Sequence, residues 1–192
     1  MTPIEIRPLQ AIRVDELKTV MTGYSTREKY QVSKSEQDGV TCLRLELVPL
    51  AQPYIRHFDT EISLDDLERY DQLIKDAMSL GCWLGDRLVG LAIAEICHWN
   101  KILWIHEFHI AADLHGRGLG RQLMAAMADR AGEKGLRALQ VETQNTNVPA
   151  IRFYRQVGFE VEAIDLSYYT NRDVEHYEVA IFMRRKLLTQ AT

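Results

Sequence analysis

Three alternate glycines in His115-Gly116-Arg117-Gly118-Leu119-Gly120-Arg121 sit between an apolar run ending at Ile110 and a helical pattern beginning near Leu119. No other feature constrains the chain as much. Alternate glycines bring backbone amides within reach of an anion with no Cβ in the way, and a helix start adds unpaired N–H groups and the positive end of the dipole. A pyrophosphate fits such a junction. The triphosphate loop that needs Gly-Lys-Ser/Thr is excluded, because Arg121 stands five residues after Gly116 with no such tail. The dinucleotide fingerprint fails too, since Leu123 occupies its third glycine position. A Gly-x-Gly by itself is equally a plain helix entry turn, so its context must decide.

That context is a regular alternation of strands and helices. Ile4, Ile6 and Leu9 open a strand, and Val14, Leu17, Val20 and Met21 recur at helical spacing up to Gly23. Alternation from Tyr30 to Val48, broken at Gln37-Asp38-Gly39, predicts a hairpin. Ser63 caps an expected helix whose stripe is Leu67, Tyr70, Leu73, Ile74 and Ala77, with Gly81 as its stop. Strands are expected at Cys82 to Leu84, Leu88 to Cys97 and Ile102 to Ile110, then a helix from Leu119 to about Lys134 stopped by Gly135. A strand from Leu136 to Thr143, a helix capped by Asn147 and reaching about Val157, and strands near Phe159 to Leu166 and Glu178 to Arg185 complete the order. With 192 residues, 46% of them hydrophobic, one α/β domain over 1–192 is expected, a mixed central sheet flanked by helices.

The stretch from Glu142 to Phe159 adds a second constellation. Asn147 precedes Pro149, which is tolerated in a first helical turn, and Tyr154 follows seven residues after Asn147, near the same helical face. Both can point at one ligand. The loop from His115 to Gly120 resembles the acetyl-CoA pyrophosphate motif of the GNAT acetyltransferases, and Asn147 to Phe159 resembles their later Asn-x-x-Ala-x-x-Phe-Tyr-x-x-x-Gly-Phe motif. The resemblance runs from about Leu88 to Phe159, the expected acetyl-CoA-binding core. Glu142 to Asn147, Tyr168-Tyr169 and Glu178 to Phe182 further resemble the streptothricin acetyltransferase branch. His115 departs from the usual Gln or Arg, bringing less charge to a phosphate, and Arg117 and Arg121 are placed to compensate.

The resemblance implies that acetyl-CoA lies along Ile110, His115, Gly116, Arg117, Gly118, Leu119, Gly120, Arg121 and Asn147, with Tyr154 beside the sulfur and able to protonate the leaving thiolate. A packing aromatic is the plainer role for Tyr154. Strand alternation puts Ile105, Glu107 and His109 on one face and His106, Phe108 and Ile110 on the other. If the apolar face meets the helices, Glu107 and His109 look into the acceptor cleft, with Glu107 the first choice of base and a solvated strand carboxylate the bland alternative. Glu95, His109 and Glu142 are candidates for holding a cationic acceptor, though each of the two carboxylates has a structural reading as well. The expected reaction is acetyl transfer from acetyl-CoA to a primary amine of a small cationic molecule, with a streptothricin-type antibiotic the best single acceptor. Acetylation of a protein or peptide amine, or acetyl-CoA sensing without turnover, are the alternatives.

Charge and cysteines narrow the partners. Lys plus Arg number 23 against 27 Asp plus Glu, a net charge of −4 with no basic run, which argues against nucleic acid. No apolar stretch approaches the roughly 20 residues of a membrane helix, and Met1 to Arg7 lack a signal core. Cys42, Cys82 and Cys97 form no metal or disulfide pattern, and His106 and His109 are expected on opposite strand faces, so no metal is expected. Cytoplasmic location and free thiols fit, and homodimers are common among such folds.

Overall fold

A two-residue turn with both residues at positive φ, Asp38 at 51° and Gly39 at 79°, folds the polar first third of the chain into a long hairpin. The computed structural model describes residues 3–60, 62–176 and 178–187. Met1, Thr2, Glu61, Tyr177 and residues 188–192 of the expected domain lie outside the described residues. In chain order the elements are β1 (Ile4–Pro8), α1 (Val14–Val20), β2 (Tyr24–Gln37), β3 (Val40–Arg56), α2 (Leu64–Ile74), β4 (Leu80–Leu84), β5 (Arg87–Cys97) and β6 (Ile102–Ile110). A 3₁₀ turn (Ala112–Leu114), α3 (Leu119–Glu133), β7 (Ala138–Gln144), α4 (Val148–Gln156), β8 (Glu160–Asp165), α5 (Asp173–His176) and β9 (Ala180–Lys186) follow. Among the described residues a seven-stranded mixed sheet runs β1-β4-β5-β6-β7-β9-β8, and β2-β3 form a separate pair. This is the expected α/β architecture.

The described residues gather into two compact units, 3–23 with 57–60, 62–140 and 185–187, and 24–56 with 141–176 and 178–184. In the first, β1, β4, β5 and β6 pair antiparallel, with Gly85-Asp86 turning β4 into β5. Strand β5 is buried from Leu88 to Ala94. A Cβ on Gly90 would stand 2.6 Å from Ile110 Cδ1 and 3.2 Å from the His109 carbonyl oxygen, so only glycine lets β6 come this close. Leu91 and Ile93 pack in one cluster with Leu17 and Val20 of α1 and Tyr70 and Ile74 of α2. Helix α3 packs against β4, β5 and β6.

Two expectations need correction here. Gly81 does not end α2; the helix stops at Ile74, Ala77 takes the positive φ of 55°, and Gly81 lies inside β4. A Cβ there would meet the Trp83 ring at 2.3 Å. Second, β6 does not alternate evenly: Ile93 pairs with Glu107 and Ala94 with Ile105, leaving His106 as an extra, bulged residue.

In the second unit the hairpin is longer than its alternation, because Pro49, Pro53 and a register shift at Thr26/Glu28 interrupt the pattern without ending the pairing. Buried Asn145 acts as a stitch. Its backbone joins Tyr30 N–H and the Val179 carbonyl, while its side chain donates to the Tyr30 carbonyl and accepts from Val179 N–H. β8 and β9 pair antiparallel, and α5 is fastened by Asp173, whose carboxylate accepts from Tyr169 N–H, Thr170 N–H and the Thr170 hydroxyl.

Candidate active site

The glycine loop is built as a strand-to-helix turn with an unobstructed face. Gly116 and Gly118 have φ of 74° and 80°, and a Cβ on either would meet nothing within 4 Å. Gly118 is the N-cap of α3, and Gln122 N–H is the donor that reaches its carbonyl, so the N–H groups that precede Gln122 at the helix start have no i→i−4 partner within α3. Gly120 differs in kind: it lies within α3 and needs no positive φ. This cradle fits a pyrophosphate, with donors supplied by backbone and no acidic residue in the first turn.

His115 fastens the loop to the strand before it. Its Nε2 lies 2.7 Å from the Ile110 carbonyl oxygen and donates to it, tying the turn to the end of β6. In the neutral ring this leaves Nδ1, an acceptor, which a phosphate oxygen cannot use. Arg117 and Arg121 are therefore the cationic side chains of the loop. Asp113, just upstream, is held below the usual carboxylate range by its bidentate pairing with Arg87 at 2.9 and 3.0 Å.

On β6 the bulge brings consecutive side chains to consecutive residues of α2. Arg69 Nη2 donates to His106 Nδ1 at 2.9 Å, and the Tyr70 hydroxyl donates to Glu107 Oε1 at 2.6 Å. The expected separation of His106 and Glu107 onto opposite faces does not hold, because strict alternation ends at a bulge. An arginine only donates, so Nδ1 accepts and His106 carries its proton on Nε2, which lies at ion-pair distance, 3.1 Å, from Glu95 Oε1 without hydrogen-bond geometry. Burial, with the Arg69 charge acting in the same sense and Glu95 against it, lowers the His106 pKa. Glu95 thus stands beside a histidine without receiving a hydrogen bond from it.

Glu107 and His109 do share a face, and they touch. His109 Nε2 is 2.9 Å from Glu107 Oε2, and Phe58 stands edge-on to the imidazole with centroids 5.7 Å apart. They lie opposite Ile93 and Leu91, on the face covered by α1 and α2. Burial and the neighbouring Glu107 charge push the Tyr70 phenol far above its ordinary value, so it stays a donor.

In the second unit, Asn147 caps α4 by accepting the Ala150 N–H at 3.2 Å. Its carbonyl oxygen is thus used inside the protein. Asn147→Ala should cost about 1 kcal/mol of stability, read as a lower Tm in thermal unfolding; a Tm unchanged would deny the cap its role. Tyr154 is buried, its ring 5.6 Å from those of Phe153 and Phe159. Glu142 accepts the Tyr169 hydroxyl, and burial followed by the Glu142 charge raises that phenol's pKa. Glu178, absent from the expected site, accepts from Tyr54 at 2.9 Å and Arg56 at 2.6 Å. Its sequence signal was its place at the start of the Glu178 to Phe182 segment of the branch resemblance. Among the described residues no three His, Cys, Asp or Glu side chains are arranged to hold a metal ion, and no helix is long and apolar enough to cross a membrane.

A family model described as the acetyltransferase (GNAT) family matches residues 45–159, more than half of the chain. The chain belongs to the GNAT acetyltransferase family. It is 38% identical over 91 residues to a streptothricin acetyltransferase of Streptomyces lavendulae, a match covering 46% of this chain and 48% of that one. The chain thus spans about half the length of that relative. A streptothricin acetyltransferase of Escherichia coli is 26% identical over 170 residues, covering 88% of this chain and 89% of its own. The fold is also that of a solved nourseothricin acetyltransferase, with a TM-score of 0.73 and 24% identity over 95% of this chain and 98% of that one. A Bacillus anthracis str. Ames chain solved in complex with acetyl coenzyme A superposes with a TM-score of 0.70 and 21% identity, covering 96% of this chain and all of that one.

Proposed function

We propose that this protein, as a single domain with its acetyl-CoA-binding core at about 88–159, transfers an acetyl group from acetyl-CoA to a primary amine of a small cationic molecule. The observation that supports this reading most is the open glycine cradle at the start of α3 in a GNAT chain. A streptothricin-type antibiotic is the acceptor we favour, because the likeness to the E. coli streptothricin acetyltransferase extends over most of both chains. Antibiotic resistance would follow from modifying such an acceptor.

Acetyl-CoA supplies the acetyl group on a thioester whose thiolate must leave. The N–H groups opening α3 bind its pyrophosphate, with Arg117 and Arg121 adding charge. Tyr154 donates a proton toward the departing sulfur, and the β6 carboxylate and imidazole relieve the acceptor ammonium of its proton. Glu95 and Glu142 are the weaker acceptor contacts, Glu95 standing 3.1 Å from His106 Nε2 and Glu142 already accepting the Tyr169 hydroxyl.

Calorimetry with acetyl-CoA in EDTA should show metal-free binding. No heat and no thermal shift at millimolar acetyl-CoA would end this reading. The acceptor is then decided by following CoA release with a thiol reagent over streptothricin and a broad amine panel, where streptothricin should turn over fastest.

A further inference from the structure

We propose that His109 is the group that takes the proton from the acceptor ammonium, and that Glu107 is its positioning residue, held in turn by Tyr70. This rests on the acyl-transfer reading above and reassigns the roles within it. Both oxygens of Glu107 are occupied, Oε1 by the Tyr70 hydroxyl at 2.6 Å and Oε2 by His109 Nε2 at 2.9 Å. An ionised carboxylate has no hydrogen to give, so the hydrogen in the second contact belongs to Nε2. The neutral imidazole must then present a lone pair at Nδ1, which has no hydrogen-bond partner among the described residues.

The geometry has the logic of a nucleophile-activating dyad moved one step along: a carboxylate fixes the tautomer and orientation of a histidine and stabilises the imidazolium that forms. Phe58, edge-on at 5.7 Å, limits rotation of the ring. Glu107 already accepts two hydrogen bonds and has both oxygens engaged, whereas His109 Nδ1 keeps a lone pair for a proton. Apolar Leu91 and Ile93 face the pair from β5. From α2 the titratable and charged groups are Tyr70, with Asp66 and Arg69 beside it. Arg69 spends itself on His106, the remaining β6 group nearby, so the charged partner of His109 is Glu107.

Atoms balance as follows. One ammonium proton passes to His109 Nδ1, the freed amine nitrogen bonds to the acetyl carbonyl carbon, and the carbon–sulfur bond breaks with its electron pair on sulfur. The nitrogen then loses a second proton. Of the two protons released, one ends on the CoA sulfur and the other returns to water, regenerating neutral His109.

The test is the pH profile of kcat/KM for the acceptor, from about pH 5 to 9.5, in the wild type, His109→Gln, His109→Asn and Glu107→Gln, with folding checked by circular dichroism. Both His109 variants should fall by about 10²- to 10⁴-fold and lose the acid limb that a titrating imidazole gives. Glu107→Gln should be slower yet keep that limb. Loss of the limb in Glu107→Gln with its retention in the His109 variants would overturn the proposal and make the carboxylate the base. Independently of turnover, nitrogen NMR of the free wild-type protein should find His109 as the Nε2–H tautomer, and an Nδ1–H tautomer would also overturn it. A wild type that releases no CoA with any amine would instead remove the acyl-transfer reading on which the roles depend.

Discussion

Gly118→Val should leave the protein folded while weakening acetyl-CoA binding by about 30-fold or more, equivalent to about 2 kcal/mol. The two halves of that expectation come from different properties of one residue. Gly118 sits at φ 80° and ψ 0°, where a side chain costs roughly 1–2 kcal/mol of strain, more for a β-branched one. Its added Cβ would meet no atom within 4 Å, so no packing clash is added to the strain, and a domain with about 5–15 kcal/mol of stability survives it. The space a valine would fill is the open face of the loop, where a pyrophosphate must approach the N–H groups at the start of α3. Gly120→Val separates the two effects, because Gly120 is helical and occlusion there comes without positive-φ strain. Gly132, at the far end of α3 and equally open, is the control: Gly132→Ala should raise stability by about 0.5–1 kcal/mol and leave affinity alone. Calorimetry and thermal unfolding on all four proteins read both quantities. Wild-type affinity in a folded Gly118→Val would place the phosphates elsewhere.

The loop was legible because glycine chemistry is local: a strand, alternate glycines and a helix identify the turn without tertiary information, as Asp38-Gly39 identify the hairpin. The bulge at His106 was not, since a period of two predicts faces only while pairing stays in register. That one extra residue accounts for the failed opposition of Glu107 to His106. Gly81 misled for a related reason. Its glycine requirement comes from the Trp83 ring lying over it, a contact no helix-stop rule describes. Asn145 was read only as part of a motif, yet its four hydrogen bonds substitute for a missing stretch of strand pairing. Such a residue carries no periodic signal. His115, where the motif usually has Gln or Arg, turns its side chain onto the backbone at Ile110, a contact that no motif position describes.

Tyr154→Phe is expected to lower kcat by about 10²-fold or more with little change in the KM for acetyl-CoA, because it deletes a hydroxyl whose proposed work falls in the step where the thiolate leaves. Burial sharpens the experiment. The ring is 7% exposed and packed against Phe153 and Phe159, so larger truncations would open a cavity and confuse chemistry with stability. Phenylalanine keeps the volume, and the ring contacts should survive. A thiol titrates near 8.5, which makes a thiolate a tolerable leaving group by itself, so the loss should sit toward the lower end of the usual 10²- to 10⁴-fold range for general acid catalysis. It should also shrink for acceptors whose attack, and not thiolate departure, limits the rate. A purely structural Tyr154 makes the opposite pattern, a changed Tm with kcat intact. Steady-state kinetics with streptothricin and thermal unfolding on the same two preparations distinguish them, and wild-type turnover in the variant would leave Tyr154 as a packing residue of α4 with the thiolate departing unassisted.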